Sequence, residues 1–180
     1  MQAFISDRAY AAILAETAEK MITETGGVFL GCYEKGNWYV IEAIDPGPKS
    51  VFQVNRFEYD REYIEHLINK TARMYKAGLT LIGLWHRHQG SVDEFSSTDD
   101  WTNSNYAKLS PNGAISALVN VDPKFRFTPY HVGWPLKYTK ITYIIGDSLI
   151  PGHLLQLSKF GQSLENTDSY ADRPYTVHLR

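Results

Sequence analysis

Apolar residues recur at helical spacing over residues 7–24, where Tyr10, Ile13, Leu14, Met21 and Ile22 fall on one side and Ser6 in front predicts an N-cap. Gly26 and Gly27 break that pattern, and Val28–Tyr33 and Trp38–Ile44 then read as two strands joined by a turn at residues 34–37. Pro46, Gly47 and Pro48 mark a loop, and Val51–Phe57 reads as a further strand. Helical spacing returns over Asp60–Ala77, with Ile64, Leu67, Ile68, Ala72 and Tyr75 on one face and Gly78 as a stop. Leu79–His88 is a continuous apolar run ending in two histidines, the pattern of a central strand with an exposed C-terminal end. A polar loop at Gln89–Phe95 leads to a predicted helix over Ser97–Lys108, capped by Ser96 or Ser97, with Asp99 and Asp100 in its first turn. After a turn at residues 111–113, strands are predicted at Ala114–Val121, Arg126–Val132 and Tyr138–Ile145. The order of elements predicts a mixed α/β (α+β) domain over residues 1–160, with one central sheet flanked by helices. Residues 161–180 are polar and irregular apart from alternation in Tyr175–Leu179, and are expected to form a mobile C-terminal tail.

Composition narrows the class rather than the function. At 180 residues the chain fits one domain with a full-sized core, and its 43% hydrophobic and 21% charged residues are ordinary for a globular protein. A net charge of -2 with interspersed signs argues against a nucleic-acid binder, which carries a basic face. Runs such as Ile141–Ile145 are too short to span a bilayer, and MQAFISDRAY lacks a signal-peptide pattern, so no membrane association and a cytoplasmic location are expected. The one cysteine, Cys32, agrees with a reducing compartment and reads as a buried small hydrophobe rather than a nucleophile.

The chemistry concentrates in residues 84–99. His86 and His88 are two apart on a strand, so their side chains share a face and their rings can converge on one ion. Asp99 follows eleven residues later, past a loop long enough to fold back. Three N/O ligands with one open position is the donor set of a catalytic zinc, whereas structural sites are closed by four. Against this stands a wet strand end with two ordinary histidines, but Ser96-x-x-Asp99 at fixed distance makes His-x-His-x7-Ser-x-x-Asp a pattern that arises by chance on the order of once in a thousand such chains. Glu94 is wrongly spaced for the acid of a cupin site, which also begins with His-x-His.

That segment resembles the JAB/MPN metallopeptidases, whose JAMM motif is a glutamate followed downstream by His-x-His-x7-Ser-x-x-Asp. The glutamate of that family opens a strand reading Glu-x-x-Gly, matched here by Glu24-Thr25-Gly26-Gly27. The resemblance covers roughly residues 5–145 in element order and implies an MPN-type fold. It implies that His86, His88 and Asp99 bind zinc (Zn2+), that Glu24 accepts a proton from water and returns it to the leaving amine, and that Ser96 helps stabilise the oxyanion. Simpler roles compete at each position: Glu24 as a solvated residue at a helix end, Ser96 as an N-cap only, and Asp100 as a rival to Asp99, whose spacing fits better. Asp93 and Glu94 are expected to face water, and His66, His131, His153 and His178 lack partners at ligand spacing. Many family members have proline where Gln89 stands, a difference that touches loop rigidity and not the ligands.

The resemblance implies hydrolysis of an isopeptide or peptide bond at the C-terminus of a ubiquitin-like protein, as in the stand-alone prokaryotic members that accompany E1-like and E2-like partners, including in anti-phage systems. A related reading is the processing of a sulfur-carrier protein. A third is a non-catalytic MPN scaffold, though scaffolds usually lack motif residues and this chain lacks none. Phe52–Phe57 is the expected edge for a substrate tail added as a strand.

Overall fold

A computed structural model describes residues 1–54, 56–90 and 92–158 of the chain. The chain opens with strand β1 (Gln2–Ile5), which precedes helix α1 (Asp7–Glu19). Ser6 caps α1 by accepting from the Ala9 N–H at 2.9 Å. The helix ends at Glu19, five residues short of the sequence expectation, and Met21 and Ile22 are exposed instead of packed. The carbonyls freed in that stretch are satisfied from elsewhere, by Arg87.

Strands β2 (Thr25–Glu34) and β3 (Asn37–Ile44) form the expected hairpin. Lys35 and Gly36 at its tip both have positive φ, 50° and 81°, the two-residue turn whose twist matches that of the strands. The expected strand at Val51–Phe57 is instead a small ribbon of its own, β4 (Val51–Phe52) against β5 (Phe57–Glu58). It is a separate sheet, not an edge of the main one. Helix α2 (Arg61–Arg73) starts on an Asp60 cap, and β6 (Thr80–Arg87) follows. Helix α3 (Ser97–Ala107) and strands β7 (Ala114–Asn120) and β8 (Arg126–Gly133) come next, close to expectation. The last expected strand divides at Ile141 into β9 (Lys137–Lys140) and β10 (Thr142–Ile145), and the short helix α4 (Gly152–Leu155) comes after.

Among the described residues the main sheet has eight strands in the order β10-β1-β3-β2-β6-β7-β8-β9, with parallel pairs at β10/β1, β1/β3 and β6/β7 and antiparallel pairs elsewhere. Its two edge strands are separated in the chain by Ile141 alone. Successive Cα atoms are only about 3.8 Å apart, so the sheet must curl until its edges approach at that residue. Ile141 is buried there and its N–H donates to the Pro129 carbonyl. One face packs Phe29, Trp38, Val40, Trp85, Ile115 and Val119 around Ala9 and Ile13 of α1. The other packs Val28, Leu30, Tyr39 and Ile41 against Ile64 and Ile68 of α2 and Tyr106 of α3. The expected mixed sheet with helices on its faces is therefore what the chain builds. The expected C-terminal tail, residues 161–180, and with it His178, lies outside the described residues. No helix among the described residues is long and apolar enough to cross a membrane.

Candidate metal centre

The centre grows from the C-terminal end of β6, between β2 and β7. The His88 N–H continues the ladder onto the Val119 carbonyl at 3.2 Å, so strand alternation still governs the residue just past β6. His86 and His88 thus face the same side, with ring centroids 4.6 Å apart, and Arg87 between them points to the other. Gly26 is paired with His86 across the β2/β6 ladder, where a Cβ would stand 2.5 Å from the Trp85 carbonyl oxygen and 2.9 Å from the Phe57 ring, so a bare backbone is needed beside the histidine.

Asp99 comes from the opposite wall, in the first turn of α3. Ser96 and Asp99 form a capping box: Asp99 N–H donates to Ser96 Oγ, and Asp99 Oδ2 accepts from the Ser96 N–H at 2.8 Å. Ser96 Oγ also donates to Asp99 Oδ2 at 2.6 Å. These bonds aim the carboxylate at the histidines, with Oδ1 2.7 Å from His86 Nδ1 and Oδ2 3.2 Å from His88 Nε2. Burial alone would push the Asp99 carboxyl upward, but the two imidazoles and Ser96 outweigh it and hold it far below the usual carboxylate range. Asp100, the rival in sequence, accepts from Tyr138 Oη at 2.7 Å and belongs to the docking of α3 on β9.

Glu24 stands between α1 and β2 with Oε2 3.5 Å from His86 Nε2, a charge contact and not a hydrogen bond. Its backbone N–H donates to the Gln53 carbonyl at 3.0 Å, which ties it to the β4/β5 ribbon. Burial pulls the His86 pKa down, yet the carboxylates of Asp99 and Glu24 together reverse that and raise it to about 9.

Donor atoms of His86, His88 and Asp99 all lie within 4.8 Å of one another. One nitrogen of each ring, His86 Nε2 and His88 Nδ1, is buried without a hydrogen-bond partner. Two imidazoles and one carboxylate match the three-ligand set that leaves a divalent ion one open position, so the residues fit such an ion. The centre opens into a cleft of about 1230 Å³ whose walls include Phe57 and Trp101. Phe57 lies over His86 with centroids 5.8 Å apart, and Trp101 is largely exposed at the rim.

Two features escape a reading by spacing. Arg87 is buried, and a charged residue between two histidines on an apolar strand carries the signal that it turns into the body and needs partners there. Asp93, expected to face water, is half exposed but bonded to Asn120 Nδ2 at 2.6 Å and paired with Arg126 at 3.2 Å. Phe95 stacks on Tyr138 with centroids 4.6 Å apart. These contacts restrain the loop at Asp93 and Phe95, beyond Gln89. Cys32 is partly buried, its thiol pushed up to about 11 by burial and then by Glu34, and is protonated at neutral pH. His131 contacts Trp38, and His153 contacts Glu34, both away from the centre.

A family model described as prokaryotic homologs of the JAB domain matches residues 6–130, and the chain belongs to that family. A curated relative from Sinorhizobium fredii (strain NBRC 101917 / NGR234), named "Probable metalloprotease y4qB", is 30% identical over 100 residues, 55% of this chain and 59% of that protein. The match therefore spans somewhat over half the length of that relative. The solution structure of protein DSY2949 from Desulfitobacterium hafniense superposes with a TM-score of 0.53 at 14% identity, covering 80% of this chain and 92% of that one, a likeness of fold alone. The chain is thus a domain of the prokaryotic JAB family in which His86, His88 and Asp99 form a group able to bind a metal ion.

Two consequences are open to measurement. Because its folded-state pKa is raised, His86 contributes stability that is complete below its unfolded value of 6.5 and lost as pH rises through about 9. Chelator-treated protein should therefore melt at a lower temperature at pH 9.5 than at pH 6.5, and metal affinity should rise over the same window as the imidazole proton is given up. Melting curves across that range with and without chelator check both. Ser96→Ala removes the cap of α3 and one bond to Asp99; it should cost about 1 kcal/mol of stability and weaken metal binding by roughly 10–100-fold, as read by competition against a chromogenic chelator.

Proposed function

We propose that this chain is a zinc-dependent peptidase of the JAMM type that hydrolyses the peptide or isopeptide bond at the C-terminus of a ubiquitin-like protein in the cytoplasm. The observation that carries the reading is the convergence of His86, His88 and Asp99 within 4.8 Å, with Glu24 beside them at the head of an open cleft. His86, His88 and Asp99 are the residues that would hold the ion. A bound zinc supplies Lewis acidity, bringing the pKa of water close to neutrality and polarising the scissile carbonyl. Glu24 Oε2 takes the proton of the attacking water and later delivers it to the leaving amine, as a general base that then serves as general acid. Ser96 is placed by this reading to donate its hydroxyl to the developing oxyanion, a role that requires it to release Asp99.

The β4/β5 ribbon, with Gln53 and Phe57 on the cleft wall, is the candidate strand for an extended substrate tail. E1-like and E2-like proteins are the proposed partners of such a system. The test is incubation of zinc-loaded protein with two fusions, a ubiquitin-like protein and a sulfur-carrier protein, each extended at its C-terminus by a reporter peptide. Release of reporter from the first, with mass spectrometry placing the cut at the C-terminal residue of the ubiquitin-like protein, supports the proposal. Cleavage of the sulfur-carrier fusion alone replaces the substrate class, and cleavage of neither favours the scaffold reading.

A further inference from the structure

Between the two histidines lies a side chain that the chemistry above does not use. Arg87 is only 2% exposed, and alternation along β6 turns it to the face opposite His86 and His88. Its guanidinium does not end in an apolar core. Nη1 donates to the carbonyl of Lys20 at 2.8 Å and to that of Thr23, and Nη2 donates to the carbonyl of Met21 at 2.7 Å. All three acceptors lie in the connection between α1 and β2, and Thr23 immediately precedes Glu24.

Backbone bonds hold the two ends of that connection, Lys20 N–H to the Glu16 carbonyl at 3.1 Å and Glu24 N–H to the Gln53 carbonyl at 3.0 Å, and the stretch between them is where Arg87 acts. Met21 is 53% and Ile22 79% exposed, so apolar packing does not fix its course. A planar fork can order such a segment by holding carbonyls on two separate nitrogens at fixed directions, whereas an ammonium presents its three donors from one freely rotating nitrogen. Burial of a guanidinium is unfavourable where its donors go unpaired; Nε is buried without a partner, so the three carbonyls on Nη1 and Nη2 are what offset that burial, and the segment and the arginine hold each other in one arrangement. The β2/β6 ladder completes the frame, with Thr25 opposite Arg87 and Gly26 opposite His86. One stretch of β6 therefore presents two proposed metal ligands on its front and grips the approach to Glu24 from its back.

We propose that Arg87 is a positioning residue that sets Glu24 against the metal centre, coupling the base to the strand that carries the histidines. This rests on the reading of Glu24 as the base, and the experiment separates the two. Arg87→Met, Arg87→Lys, Glu24→Gln and the double variant R87M/E24Q are compared on the ubiquitin-like fusion, with zinc content and amide hydrogen exchange measured on each. The expected result for R87M is a kcat lowered roughly 10–100-fold, as for other residues that orient a reacting group. KM and zinc per chain stay unchanged, and exchange quickens in residues 20–25 but not in residues 97–107. Arg87→Lys, whose one nitrogen replaces the two that hold these carbonyls, should recover part of kcat and part of the protection. In the E24Q background the arginine change should slow the residual rate no further. An equal slowing in both backgrounds, or loss of zinc from both Arg87 variants, would overturn the proposal. Should R87M fail to fold, R87K carries the same comparison. If the unaltered protein cleaves nothing, the substrate reading falls, and exchange still decides on Arg87: unchanged protection of residues 20–25 in the variants would overturn the anchoring.

Discussion

Glu24→Gln is expected to lower hydrolysis by about a thousandfold, within the range for loss of a general base, while zinc content stays at the level of the unaltered protein. The carboxylate is 3.5 Å from His86 Nε2 and outside the group of donor atoms within 4.8 Å, so the proposed ligand set does not include it. An amide of the same shape fills the same place, gives up the charge contact with His86 and cannot accept the water proton. The change therefore separates proton transfer from metal binding. Steady-state rates beside atomic-absorption measurement of zinc provide the check. Retained activity would remove Glu24 from the role of base, and lost zinc would place it among the ligands.

His88→Ala should abolish both metal binding and cleavage. His88 is buried beside Asp99, with its Nε2 3.2 Å from Oδ2, and its loss leaves one imidazole and one carboxylate to hold the ion. Changes that merely disturb the partners of a ligand weaken metal binding by roughly 10–100-fold, so removing a ligand should exceed that range. His86 would keep its partners Asp99 and Glu24, and the fold itself should survive because the main sheet packs through both of its apolar faces. Zinc titration followed by circular dichroism distinguishes a lost site from a lost fold. Full metal content in this variant would contradict the assignment of His88.

The site was far more legible in the sequence than were its supports. His86 and His88 share a face because the ladder of β6 runs one residue past Arg87, and Ser96 and Asp99 meet because a capping box joins positions three apart; both relations are local and follow from backbone periodicity. The start of α2 near Asp60 and the β2/β3 turn within residues 34–37 were readable from periodicity, whereas α2 ends at Arg73, short of the expected Ala77, and β2 begins at Thr25, ahead of the expected Val28. What escaped depends on contacts distant in the chain. Strand β1 is four residues long and exists because β3 and β10 flank it on either side. The run Tyr138–Ile145 looks like one strand, yet Ile141 hands it from one edge of the sheet to the other, which only closure of the sheet explains. Helix α1 ends early where Arg87, more than sixty residues on, takes the carbonyls of Lys20 and Met21. Asp100 could be set aside by spacing, but its actual partner, Tyr138, lies 38 residues away.

X-ray diffraction from zinc-soaked crystals, with anomalous data collected on both sides of the zinc absorption edge, bears most directly on whether these residues form one metal centre. One peak per chain is expected, bonded to an imidazole nitrogen of His86, an imidazole nitrogen of His88 and a carboxylate oxygen of Asp99, with Glu24 facing it across the open position. A chain that binds no zinc there, or binds it through other side chains, would contradict the assignment.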